Sequence, residues 1–347
     1  MLLVGTKKGL FIVKGRAPAA PHFLGDPVSA VLSSGKHIFA ALNLGHFGVK
    51  LHRSSNGGRK WQEIAAPAYP AQPADAKGPP WKLAQVWTLE AGTAPGELWA
   101  GTIPGGLFRS TDNGDSWTLV ESLWNRAERA EWLGGGYDHP GIHSICVYGR
   151  TITVGISCGG VWQSKDAGAS WNLAGRGMYA EFMPPEKRDD PNIQDPHRVV
   201  QCAAQPEVFW AQHHNGIFIS KNNCGTWVEV KTAKPSKFGF AVAVHPDDPD
   251  TAWFVPAVKD ERRVPVDGRF VVSRTRDGGR SFQVLGKGLP PRPAYDLVYR
   301  HGLAVDGSGK RLAMGSTTGG LWTSENGGDA WRCLSAHLPP IHCLRFA

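Results

Sequence analysis

The chain has 347 residues, 41% of them hydrophobic and 20% charged, with a formal net charge of +8, enough to build a large core. No apolar run approaches the roughly 18 to 20 residues of a membrane-spanning helix. The basic residues form no block or basic helix of the kind that grips nucleic acid, and none of the six cysteines sits in the Cys-x-x-Cys pair of a zinc ribbon or redox centre.

In chain order, the opening stretch MLLVGTKKGLFIVKG reads as two strands around a turn at Lys7 and Lys8. The apolar start meets these lysines with no cleavage site behind it, so a soluble, cytoplasmic protein with no membrane partner is expected. The glycine, proline and tryptophan counts (43, 26 and 14) predict an all-β chain with many turns. A repeating unit then begins. It is plainest from Ile142, where IHSICVY, TITVGIS, GGVWQSKD and SWNLAG make four short strands separated by turns. The same order starts from about Val28, Trp81, Gly141, Pro196, Phe238 and Pro293, which gives six complete units.

Each unit carries one motif: SSNGGRKW from Ser54, STDNGDSW from Ser110, SKDAGASW from Ser164, SKNNCGTW from Ser220, TRDGGRSF from Thr275 and SENGGDAW from Ser324. The template is Ser/Thr-x-Asp/Asn-x-Gly-x-x-aromatic, with starts 56, 54, 56, 55 and 49 residues apart. The Asp or Asn side chain accepts bonds from backbone N–H groups of its own turn, Gly supplies a positive φ, and the aromatic packs as the next strand leaves. In the fourth copy Cys224 takes the glycine position, which predicts a distorted turn.

These six motifs resemble the Asp-box, or BNR, repeat of sialidases, sortilin-type propellers, xyloglucan-cleaving glycosidases and photosystem II assembly factors. More closely, the chain is similar to bacterial single-propeller proteins labelled exo-α-sialidase or glycosyl hydrolase. The resemblance implies a β-propeller in which each motif joins the third and fourth strands of a blade.

The ends then find a place. GTKKGLF matches GTIPGGLF from Gly101 and GSTTGGLW from Gly315, a hairpin of strands two and three; the C-terminal PIHCLRFA matches GIHSICVY, a first strand. The expected fold is therefore all-β: one seven-bladed β-propeller domain over residues 1–347, with four-stranded antiparallel blades. Its seventh blade is formed by 1–25 plus 340–347 and closes the ring without exposed sheet edges.

The strand order fixes two faces. Turns joining strands one to two and three to four lie on one. The other carries the long connections 66–82, 122–141, 175–197 and 258–268. Long loops in a compact domain are usually functional, so a ligand site is predicted there, over the central channel. First strands are innermost and bring His143, His197 and His342 to its mouth, with Gln85 and Tyr295 at similar positions. The loops add His46, Cys158, His213, His214, Lys259, Arg262, Tyr137, His139, Tyr179 and, for stacking, Trp81, Trp124 and Trp132.

Three functions stay open. Glu131 and Glu181, with Asp138 in reserve, are candidates for the paired carboxylates of a glycosidase-like hydrolase acting on a small polar molecule or glycan. His143, His197 and His342 are candidates for ligands of a divalent metal. A non-catalytic scaffold or ligand-binding protein is the third. The sequence contains no Arg-Ile-Pro motif and no identifiable arginine triad, so sialidase chemistry is not expected. Cys158 is a conceivable nucleophile.

Overall fold

Short apolar runs between turn residues leave only one way to bury their alternate faces, which is sheet against sheet. The computed structural model describes residues 1–15, 17–76, 80–135 and 137–347. It forms seven antiparallel sheets in a ring, a seven-bladed propeller. Blade 1 comprises Val28–Ser34, His37–Asn43, Val49–Ser54 and Gln62–Ile64. Five more blades follow in the same order, the last ending at Arg332–Ser335. The innermost strands touch their neighbours around a closed circle. Aromatic and aliphatic side chains fill the wedges between blades, as where Trp99, Trp162 and Ile145 share one cluster.

The seventh blade joins the ends. Leu2–Thr6 pairs with Gly9–Val13 on one side and with Ile341–Phe346 on the other. Its fourth strand is reduced to one bridge, in which Leu10 and His22 exchange backbone bonds of 2.9 Å. Gly5 is required there, because a Cβ would lie 2.5 Å from Cys343 Sγ. Among the described residues no helix is long and apolar enough to cross a membrane.

The six motif turns share one bonding pattern. In the first, the Ser54 hydroxyl donates to Asn56 Oδ1 (3.0 Å) and accepts the Gly58 N–H (3.0 Å), while Lys60 N–H donates to Asn56 Oδ1 (2.8 Å). The fourth turn keeps this pattern, contrary to the distortion its sequence predicts. Cys224 adopts φ 60° and donates its N–H to Ser220 Oγ at 3.1 Å. Its thiol is buried among Phe209, Phe218 and Trp227, and this packing offsets the cost of a left-handed non-glycine residue.

Three turns carry Asp. The hydroxyls and N–H groups of Ser116, Ser170 and Ser281 hold Asp112, Asp166 and Asp277 down to a pKa of about 2. A carboxylate with a depressed folded pKa adds stability above its unfolded value and loses it as pH falls through the folded value. The melting temperature should therefore fall between about pH 4 and about pH 2. Replacing all three by Asn, which serves in the other turns, should flatten that limb in a pH series of thermal melts. A limb unchanged in the triple variant would mean that other groups set it.

One device recurs where the innermost strands begin. The pairing with the second strand slips by a residue at Ser29, Trp87, His143 and His197, and again by one where Phe240 and Ala241 face Val255. His342 is skipped in the same way against Gly5 and Thr6. Such bulges re-aim a side chain, here toward the ring axis.

Candidate functional site

Five of the bulged residues border a cavity of about 350 Å³ at the mouth of the channel. Ser29, Trp87, His197, Phe240 and His342 line it, as do Gln85, Tyr137, Phe182, Asp195, His214, Asp260, Arg263, Tyr299, Arg300 and His301. The cavity lies on the face predicted from loop length.

Its polar centre is Asp195. Two buried amides of the long 175–195 connection fix the approach to it. Asn192 accepts the Trp132 indole N–H (2.9 Å) and donates to the Glu128 carbonyl (3.0 Å); Gln194 donates to the Arg188 and Asp190 carbonyls. The Asp195 N–H then donates to His213 Nε2 (3.1 Å), and Asp195 Oδ1 accepts the Cys158 N–H (3.2 Å). Asp195 Oδ2 lies 3.4 Å from both His197 Nε2 and His214 Nδ1. His197 is stacked on Phe240 (4.5 Å, 15°) and bonded through Nδ1 to the Gly239 carbonyl at 2.6 Å.

His213 and His214 are adjacent on a strand end, so they point apart. His213 is fully buried and held neutral, its pKa pushed down to about 3 by burial. His214 is turned to the cavity; burial works against its charged form, but the Asp195 carboxylate prevails and raises its pKa. Burial also opposes charge on Asp195, yet His197, His214 and Arg300 together hold its pKa well below the usual range. For His197 burial wins, and its pKa is lowered.

The opposite wall is Arg300. Its guanidinium lies over the Trp87 ring (5.0 Å) and the Phe240 ring (5.7 Å). It is 8% exposed, and among the described residues its Nε has no partner and no carboxylate pairs with it. Among the described residues its one hydrogen bond is a 3.4 Å contact from Nη2 to the Gly135 carbonyl. Burial lowers its pKa, with Asp195 working the other way. Arg263 is engaged instead, by Asp260 Oδ1 at 2.7 Å.

The segment carrying Arg300 breaks the repeat. The sixth blade's innermost strand is Leu303–Val305 rather than a run from Pro293. Just before it, Tyr299–Gly302 makes a tight turn (Gly302 N–H to Tyr299 O, 2.7 Å), and His301 Nε2 reaches across the axis to the His143 carbonyl (2.7 Å). On the other side Leu344 N–H donates to the His301 carbonyl (2.8 Å). This segment floors the cavity. A second cavity of about 580 Å³, with Arg198, Glu90 and Arg345 in its wall, continues the channel beneath it.

The predicted residues distribute unevenly. Of the expected metal histidines, His197 joins Asp195 and His214. These three form the one group of its kind among the described residues, with ligand atoms all within 4.8 Å of one another. His143 is buried beneath the cavity, bonded to Ser144 Oγ (3.0 Å), and His342 is tied to the Val28 carbonyl (3.2 Å). The three equivalent positions point inward from blades 3, 4 and 7, which holds them apart around the ring.

The predicted carboxylates lie outside the cavity lining: Glu131 is exposed and pairs with Lys187 (3.2 Å), Glu181 is exposed and bonded to Asn215 (3.3 Å), and Asp138 is exposed. His139, His46, Tyr179, Lys259, Arg262 and Tyr295 are likewise outside it. His46 is exposed and packs on Phe47, Tyr179 packs edge-on to Phe218, Lys259 pairs with Glu261 (3.4 Å), and Tyr295 is 68% exposed. Trp132 is buried against Trp162 and serves the loop rather than a ligand; Trp81 and Trp124 pack on each other. Cys158 lines the cavity, but burial, reinforced by Asp195, pushes its thiol far up, so it stays protonated and inert.

Sequence reasoning passed over Asp195 and Arg300. A signal for the first was present in Asp-Pro-His, since residues i and i+2 of an extended segment share a face. For the second, the Asp306-Gly307 turn marks the end of the innermost strand and places Tyr299–His301 at its entrance.

No family model and no curated protein matches the chain. Solved structures do. The GH74 xyloglucanase from Xanthomonas campestris superposes with a TM-score of 0.67 at 18% identity, covering 96% of this chain and 52% of that one. An ancestral GH74 enzyme superposes with a TM-score of 0.59 at 16% identity, covering 96% and 40%. The chain thus spans about half the length of these enzymes or less. YCF48 from Cyanidioschyzon merolae superposes with a TM-score of 0.55 at 13% identity, covering 90% and 87%. At these identities the likeness is one of fold.

Proposed function

We propose that the protein is a hydrolase of a small anionic molecule and works in the mouth cavity. The observation that carries this reading is a buried cation with no carboxylate paired directly to it among the described residues, and a histidine-flanked carboxylate, in one cavity: Arg300 on one wall, Asp195 with His197 and His214 on the other. A buried guanidinium without a carboxylate is costly unless a ligand supplies the counter-charge. Arg300 binds the anionic end of the substrate. At the other end the Asp195–His214 pair holds a water and takes its proton as the oxygen bonds to the electrophilic atom. That proton then leaves on the departing group, so water is divided between the two products. A cavity of about 350 Å³ is near the lower end for ligand sites, which favours a single small molecule over a polymer. Two fold neighbours are glycoside hydrolases by their descriptions, and this accords with hydrolysis. A small molecule, rather than nucleic acid, is the partner.

The test is a panel of chromogenic esters, phosphates and glycosides in anionic and neutral pairs. Turnover should favour the anionic member of a pair. Arg300→Met should raise KM for it by about 10- to 100-fold, the worth of a charged hydrogen bond. The melting temperature should hold or rise, because an unpaired buried charge is removed. Equal turnover of both members, or an unchanged KM in the variant, would refute the reading.

A further inference from the structure

The hydrogen bonds around His197 leave one atom without an acceptable neighbour. Its Nδ1 lies 2.6 Å from the Gly239 carbonyl oxygen, which can only accept, so that nitrogen carries the ring proton. In the neutral ring Nε2 is then a lone pair, and it faces Asp195 Oδ2 at 3.4 Å. His214 Nδ1 faces the same oxygen at 3.4 Å. The other carboxylate oxygen is held by the Cys158 N–H, so Oδ2 has no alternative direction. His197 Nε2 and Asp195 Oδ2 are thus two acceptors face to face, and His214 Nδ1 completes a group of three atoms within 4.8 Å of one another at the cavity wall. The two acceptors repel one another unless something electropositive, a proton or a cation, sits between them.

The spacing suggests what that is. A separation of 3.4 Å is longer than a good N–H···O bond. Two ligands at about 2.0 to 2.1 Å from a tetrahedral centre lie about 3.3 to 3.4 Å apart, whereas adjacent octahedral ligands lie about 2.9 Å apart. A backbone carbonyl on the far nitrogen of His197 is also the usual way in which a metal-binding imidazole is oriented. We propose that Asp195, His197 and His214 bind one divalent cation of zinc-like preference, tetrahedrally, with the fourth position open to the cavity. This set replaces the three histidines expected from the repeat. The added charge would strengthen the cavity's demand for an anion opposite. The role of the cation in activating water rests on the hydrolase reading; its binding does not.

Cobalt(II) is the probe, because its visible spectrum reports coordination number. Protein stripped with a chelator and dialysed should take up one equivalent of cobalt(II) with the intense bands of a tetrahedral site, and zinc should displace it. His214→Ala, at a side chain turned to the cavity and tolerable to the fold, should weaken binding by more than about 100-fold, beyond the range for residues that merely orient a ligand. Asp195→Asn should do the same, and His46→Ala should bind as the parent does. Uptake below one equivalent, a weak octahedral spectrum, or binding indifferent to His214→Ala would overturn the assignment and leave a proton in the cation's place. Should cobalt fail to bind while Arg300→Met still raises KM, the metal site falls and metal-free hydrolysis by Asp195 and His214 stands. Should cobalt bind while anionic and neutral substrates are treated alike, the hydrolase reading falls and the site stands.

Discussion

A chain lacking residues 1–13 is expected to lose its cooperative thermal transition. The segment supplies two of the three strands of the closing blade and buries Leu2, Leu3, Val4, Leu10, Ile12 and Val13. At about 1.5 to 3 kcal/mol for each fully buried side chain, their loss amounts to about 9 to 18 kcal/mol, as large as the whole stability of a typical domain, about 5 to 15 kcal/mol. The truncation also leaves Ile341–Phe346 without its strand partner and uncovers the apolar faces of the two neighbouring blades. Calorimetry should show no sharp endotherm, and the truncated chain should aggregate. A melt within a few degrees of the parent's would mean that six blades suffice. Gly5→Val tests the same seam at one position, since its side chain would enter space held by Cys343 Sγ and Val28; it should lower the melting temperature with the chain otherwise intact.

The second large effect is expected at Asp195. Asp195→Asn preserves volume and, through Oδ1, the bond from the Cys158 N–H, but removes the charge that orients His214. General acid–base catalysis contributes about 100- to 10,000-fold, so kcat should fall within that range. KM for an anionic substrate should change little, because Arg300 carries that contact on the other wall. The pairing of a lost kcat with an unchanged KM is the signature, and Arg300→Met should show the converse. A variant that retains more than about one-tenth of parental kcat would remove Asp195 from the proton transfer.

Much of the fold was legible in the chain itself. Six motif turns at near-constant spacing dictated six blades. The match of PIHCLRFA to GIHSICVY supplied the seventh, and the pairing of Leu2–Thr6 with Ile341–Phe346 bears it out. Loop length pointed to the face on which the mouth cavity lies. The candidate site was legible only in part. His197 stood at the cavity wall, with His214 offered by the hairpin turn of the same blade, but Asp195 between them came from the end of a long irregular connection. Glu131 and Glu181 looked eligible because they lie in the longest loops, but exposed side chains answered by Lys187 and Asn215 have no call on the channel.

The division follows from how far each interaction reaches. Turn chemistry and strand alternation act over a few residues, so the sequence by itself determined the repeat, the blade count and the closure of the ring. Which side chains meet on the axis depends on one-residue slips at the start of six of the seven innermost strands, and a slip of one reverses the direction of a side chain. It depends also on a single turn, Tyr299–Gly302, that leaves its own blade and crosses to the third. Neither has a period for the sequence to display. Only the tertiary structure could set Arg300 opposite Asp195, because the two residues, 105 positions apart, share nothing but the cavity that the closed ring forms between them.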